Sequence, residues 1–234
     1  MADKTGRGRA SERGAGERPA MGDVRYVVMD TELTGLDEKR DAVIAIGAVR
    51  MVGARIELGD SFSRLIKPPV GIKASSAVIH QITPSELADQ PTIDTVLTEF
   101  LAFCGDDVMV GYCIGIDAGF LNRETRRLYG RPLPNSLIDT AVLFERLRRR
   151  AHPDTRLARL IPTARLYDIA ASLGIPLGGA HNALIDAFIT AQVFQRFLPL
   201  LSEDGCERID ELLKAGDPSR KGDAGTGWQE TCNM

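Results

Sequence analysis

Val24-Arg25-Tyr26-Val27-Val28-Met29-Asp30-Thr31-Glu32-Leu33-Thr34-Gly35-Leu36 is the stretch on which the fold turns. Val24 to Met29 is a short apolar run bounded by charge, the pattern of a buried strand. Asp30-Thr31-Glu32 follows it directly. Residues two apart on an extended segment project to the same side, so the two carboxylates stand side by side. Such a pair repels unless a proton or a cation lies between its members. A divalent ion with oxygen ligands suits the gap, Mg²⁺ being the commonest. Taken alone, acid-x-acid is better explained by solvated carboxylates at a strand end.

Outward from this stretch the periodicity changes in an orderly way. Ala42 to Val52 is a second apolar run, turned at Gly53-Ala54, and a third strand over Arg55 to Ile66 ends at Pro68-Pro69. Close spacing and the intervening turn favour antiparallel neighbours. Thr92 to Phe103 carries a helical stripe of Ile93, Val96, Leu97, Phe100 and Leu101. Val108 to Val110 reads as a fourth strand, Ile116 to Leu128 as a helix, and Leu137-Ile138 as a fifth strand. Asp139-Thr140 is a candidate cap for a helix running to Arg150. Helices over Ala164 to Leu173, closed by Gly174, and His181 to Leu200 complete the core. The expected fold class is α/β: a mixed five-stranded sheet, three antiparallel strands then parallel ones, flanked by helices.

Two further acids stand at helix starts. Asp117 follows the strand and Gly-containing turn Val110-Gly111-Tyr112-Cys113-Ile114-Gly115-Ile116, where a plain helix cap is the simpler reading. His181-Asn182-Ala183-Leu184-Ile185-Asp186-Ala187 opens the last core helix. Residues five apart lie roughly 140° from each other around an ideal helix. His181 therefore joins Asp186 over a shared site only if it belongs to the non-helical lead-in, which Gly178-Gly179 favours. An isolated histidine here is more often a surface residue; the combination carries the weight.

In order and spacing, the segments Asp30 to Leu36, Ile46 to Val49, Ile79-His80-Gln81-Ile82-Thr83, Asp117 with Phe120-Leu121, Ile138 to Thr140 and His181 to Ala187 resemble the successive motifs of the DEDDh 3′→5′ exonucleases. That family includes the proofreading (epsilon) subunit of bacterial replicative DNA polymerase, and the likeness covers about residues 24–200. It implies a ribonuclease H-like fold and two divalent cations, Mg²⁺ or Mn²⁺, held by Asp30, Glu32, Asp117 and Asp186. It also implies His181 as general base, and Thr31, Leu33, Thr34 and His80 near the substrate, with a structural helix-entry role for His80 as an equal alternative. The sister subfamily has tyrosine as base four residues before the last acid; Asn182 stands there, so the histidine version fits. Leu33, Tyr112 and Cys113 depart from the family pattern where the terminal nucleotide rests, which bears on substrate preference and not on chemistry.

The expected reaction is release of nucleoside 5′-monophosphates from single-stranded 3′ ends, with DNA favoured over RNA. RNA trimming or oligoribonucleotide degradation is the alternative, and a non-catalytic scaffold a further one. A haloacid-dehalogenase-type phosphatase fails because Glu32 replaces its second Asp, and because Asp106-Asp107 precede a strand where that fold needs acids after one. Gln195 to Leu200 faintly resembles clamp-binding peptides, so a polymerase or clamp partner is a subsidiary expectation; an amphipathic helix end explains the same residues. The basic run Arg146, Arg148, Arg149 and Arg150 is a candidate phosphate contact, with a solvated helix face as the simpler reading.

The 234 residues, 44% apolar and 26% charged, suit one domain with a sizeable core. A net charge of −3 argues against an architectural DNA binder and leaves a metal-dependent nuclease open, because cations neutralise both pocket and phosphate. No apolar run is expected to cross a bilayer and no secretory signal is evident, so the expectation is cytoplasmic. Residues 1–22 read as a disordered arm with Met21 a candidate start, 23–203 as the catalytic domain, and 204–234 as a polar, flexible tail with at best one helical turn around Ile209 to Leu213. Cys104, Cys113, Cys206 and Cys232 form no C-x-x-C pair and are expected to be core residues or tail thiols rather than zinc ligands or disulfide halves.

Overall fold

The computed structural model describes residues 18–69, 82–151, 159, 165–178, 182–219 and 232. Strands β1 (Arg25–Leu33), β2 (Val43–Val52) and β3 (Arg55–Leu65) form an antiparallel meander turned at Gly53, whose φ of 54° suits a residue without a Cβ. Helices α1 (Pro84–Leu87) and α2 (Ile93–Cys104) lead to β4 (Val108–Gly111), which pairs parallel with β1. Helix α3 (Gly115–Tyr129) then crosses to β5 (Leu137–Asp139), parallel to β4. Helices α4 (Thr140–Arg150), α5 (Leu166–Ser172), α6 (Ala183–Glu203) and α7 (Ile209–Ala215) follow. Sheet order is β3-β2-β1-β4-β5, the mixed sheet expected from the sequence.

Alternation along β1 builds two cores. Tyr26 and Val28 face one side with Phe144, Ile189, Phe194 and Phe197 of α4 and α6. Val27 and Met29 face the other with Val96, Phe100, Phe120 and Leu121 of α2 and α3. Each wholly buried aliphatic or aromatic side chain contributes about 1.5–3 kcal/mol, so central β1 is held firmly from both sides.

Several expectations need correction. Strand β1 does not stop at Met29; pairing with β2 continues through Asp30, Thr31 and Glu32, with a register shift between Glu32 and Leu33. Such a bulge re-aims side chains next to a site. Helix α6 begins at Ala183 rather than His181. The Asn182 carboxamide caps it, accepting from the Leu184 and Ile185 amides. The segment expected as a flexible tail contains α7, with Leu212 fully buried and Gly216 accepting from the Asp139 amide at 2.8 Å. Residues 18–22, assigned to the arm, join the fold too: Met21 is buried, its amide donates to the Glu207 carbonyl, and Ala20 bridges Arg208.

Helix α6 is, by length and composition, apolar enough to cross a membrane, contrary to the expectation that no segment is. Here it lies on the sheet, with Ile189, Val193, Phe194 and Phe197 in the core. Cys104 and Cys206 are buried free thiols, as expected, whereas Cys113 and Cys232 are joined in a disulfide, against expectation. The bridge closes a span of 119 residues, and two lone cysteines so far apart give no local pairing signal.

Candidate active site

The fold gathers acids from opposite ends of the sequence. Asp30 and Glu32 lie on the face of β1 that meets α6, and Asp186 sits in the first turn of that helix. One carboxylate oxygen from each of the three lies within 4.8 Å of the others. Gly47 makes the approach possible. It pairs with Asp30 across β1 and β2, and a Cβ there would come 2.1 Å from the Leu184 nitrogen, so any side chain would push the start of α6 off the sheet.

Asp117, in the first turn of α3, stands near this group from the α3 side of β1, and its charge acts on Asp30 and Glu32. Its Oδ1 accepts from the Thr31 amide at 3.1 Å and from the Thr31 hydroxyl at 2.5 Å. Both helix-borne acids stand where the helix dipole favours negative charge. A third helix contributes a group that the sequence did not reveal: the Tyr167 hydroxyl of α5 lies 2.7 Å from Asp186 Oδ1 and 2.8 Å from Oδ2.

The electrostatics follow from this crowding. Burial, then the negative charges of Asp117, Glu32 and Asp186, hold the Asp30 carboxyl well above the usual carboxylate range. Burial, with Asp186 and Asp117, pushes Glu32 up to about 8. Burial raises Asp117 to about 6, and the hydrogen bonds from Thr31 temper the rise. Three hard oxygen donors on rigid elements, from Asp30, Glu32 and Asp186, fit a divalent cation.

Of the other expected site residues, Thr31 is buried against Asp117, and Leu33 packs in the core on the α2 and α3 side. Thr34 is turned into the β1–β2 loop, its hydroxyl donating to Asp41 and accepting from the Ala42 amide. His181 and His80 lie outside the described residues. The basic run is internally paired: Arg146 and Arg150 meet Asp204, and Arg148 and Arg149 meet Glu145. In the clamp-like segment Phe197 and Leu198 are buried, and Gln195 donates to the Ala54 carbonyl. Asp107 forms ion pairs with Arg25 and Arg50, a structural use.

The exonuclease (RNase_T) family profile matches residues 27–194, a span that contains all four acids. The chain belongs to the exonuclease family. The reaction class of that family is exonucleolytic, and a divalent cation fits the acid cluster. The PolC-type DNA polymerase III of Thermotoga maritima is 33% identical over 205 residues, 88% of this chain but only 14% of that protein. The epsilon subunit of DNA polymerase III from Aquifex aeolicus is 35% identical over 176 residues, 75% of this chain and 81% of that one. Exonuclease X in complex with 5′ overhanging duplex DNA has the same fold, with a TM-score of 0.59 and 22% identity over 82% of this chain and 99% of that chain. So has E. coli exonuclease I in complex with a dT13 oligonucleotide, at 0.63 and 17%, covering 77% and 43%.

Proposed function

We propose that this exonuclease releases nucleoside 5′-monophosphates from DNA 3′ ends, as a proofreading or repair activity in the cytoplasm, with two Mg²⁺ or Mn²⁺ ions. The observation that carries this reading is the meeting of Asp30, Glu32 and Asp186 within 4.8 Å. The 33–35% identity to bacterial DNA polymerase III proteins supports DNA over RNA, and supports a polymerase as the kind of partner. On this reading residues 23–203 form the catalytic domain, with 18–22 and α7 packed onto it.

When bound, the cations would polarise the scissile phosphate and lower the pKa of an attacking water. Asp30, Glu32 and Asp186 supply the oxygen ligands. Asp117, fixed by Thr31, adds negative charge from the α3 side. His181 takes the proton from the water, a role suited to an imidazole whose unperturbed pKa is near 6.5. Thr31, Leu33 and His80 border the terminal nucleotide.

The test uses 5′-labelled single-stranded and duplex DNA and matched RNA, with Mg²⁺, Mn²⁺ or EDTA. The expected result is a metal-dependent ladder shortening one nucleotide at a time, faster on DNA, and lost in Asp30→Asn. An undiminished ladder from Asp30→Asn removes the assignment, and faster RNA decay moves the substrate to RNA.

A further inference from the structure

The Tyr167 hydroxyl occupies the notch between the two oxygens of Asp186, at 2.7 Å and 2.8 Å. That notch is where a cation would sit to bind both oxygens of one carboxylate. An oxygen of the same Asp186 carboxylate lies within 4.8 Å of oxygens of Asp30 and Glu32, so the phenol grips the group that faces them. We infer that Tyr167 is a positioning residue for the metal site, holding the Asp186 carboxylate in its orientation toward Asp30 and Glu32. The inference rests on the metal-dependent reading above and adds a group that no acid motif contains.

Two observations support a built contact. Tyr167 comes from α5, a different helix from Asp186, so the pair is brought together by tertiary packing and not by helix periodicity. Its ring packs on the core beneath α6, which fixes the hydroxyl from behind. Groups that hydrogen-bond to a metal ligand set its orientation, and removing one costs roughly 10–100-fold in metal affinity. Tyr167→Phe keeps the ring and deletes only the donor.

The experiment compares the full chain and Tyr167→Phe by Mn²⁺ titration calorimetry, with exonuclease kinetics across Mn²⁺ concentration as a second readout. The expected result is a Kd for Mn²⁺ weakened about tenfold, with turnover at saturating Mn²⁺ changed far less. In an Asp186→Asn background the same substitution adds no further loss, whereas a general packing role would still show. Unchanged or tighter Mn²⁺ binding in Tyr167→Phe, or an equal loss in both backgrounds, overturns the inference. A wild-type chain that neither binds Mn²⁺ nor cuts DNA defeats the functional reading instead, so the two failures are distinct.

Discussion

The sheet carries charge out of bulk water in two places, on terms that differ. Near the start of β1, Arg50 is buried, with its Nε 2.6 Å from Asp60, a second nitrogen on Asp107, a third 2.7 Å from the Phe103 carbonyl, and its plane over the Phe103 ring. At the other end of the strand the charges acting on Asp30 are those of Asp117, Glu32 and Asp186, all of one sign. The first cluster is complete within the protein. The second gathers like charges, whose repulsion a proton or a cation would relieve. Buried charge alone does not mark a site; buried charge left unbalanced does.

Substitutions at the two clusters should therefore split activity from stability in opposite ways. Asp30→Asn removes turnover, yet it relieves repulsion, and in EDTA the Tm should rise by about 2–4 °C, corresponding to ~1 kcal/mol for a domain of this size. Arg50→Met should lower stability by about 3 kcal/mol, the low end for breaking a buried pair, because Arg25 remains beside Asp107. Its turnover at a temperature where it stays folded should match wild type. Thermal melts and single-turnover cleavage on both variants check this, and a destabilised Asp30→Asn or a catalytically dead, well-folded Arg50→Met breaks the distinction.

The pH dependence sharpens the same contrast. Glu32 holds its proton to about 8 in the fold against an ordinary 4.5, so the folded state binds that proton more tightly than the unfolded chain. Stability from this group is fully present below 4.5 and is lost as pH rises through about 8. In EDTA the Tm should fall across that window, saturating Mg²⁺ should flatten the fall, and Glu32→Gln should remove much of it. A Tm that climbs from pH 5 to 8 without metal would contradict the unbalanced pocket.

Much of this contrast was legible in the sequence because strand and helix periods are local. Alternation put Asp30 and Glu32 on one side of β1, and the helical stripe placed Asp186 in the first turn of α6. What alternation could not disclose is how far a strand runs: Asp30 to Glu32 stay in β1 because β2 supplies partners, a tertiary fact. The contacts of Tyr167 with Asp186 and of Thr31 with Asp117 span 19 and 86 residues and belong to no motif. The Cys113–Cys232 bridge escaped for the same reason. It ties Cys113, whose φ of 53° is left-handed, and whose amide donates to Asp139, to the far C-terminal segment.

The smallest expected effect concerns Asp117, to which Thr31 donates two hydrogen bonds. Asp117 rises only to about 6 because the Thr31 hydroxyl and amide both donate to it, whereas Glu32 reaches about 8. Thr31→Val keeps the β-branched shape that suits β1 and deletes the hydroxyl donor at 2.5 Å while leaving the amide at 3.1 Å. Without that bond the Asp117 carboxyl should titrate above its present value, read as a carboxyl-carbon shift in metal-free protein labelled with ¹³C-aspartate. A hydrogen bond to a charged group is worth about 1.5–3 kcal/mol, so at pH 8 the variant should lose stability near the lower figure, since one donor remains. If the Asp117 midpoint stays in place, the hydroxyl is not what separates it from its neighbours, and the pocket's acids differ through burial alone.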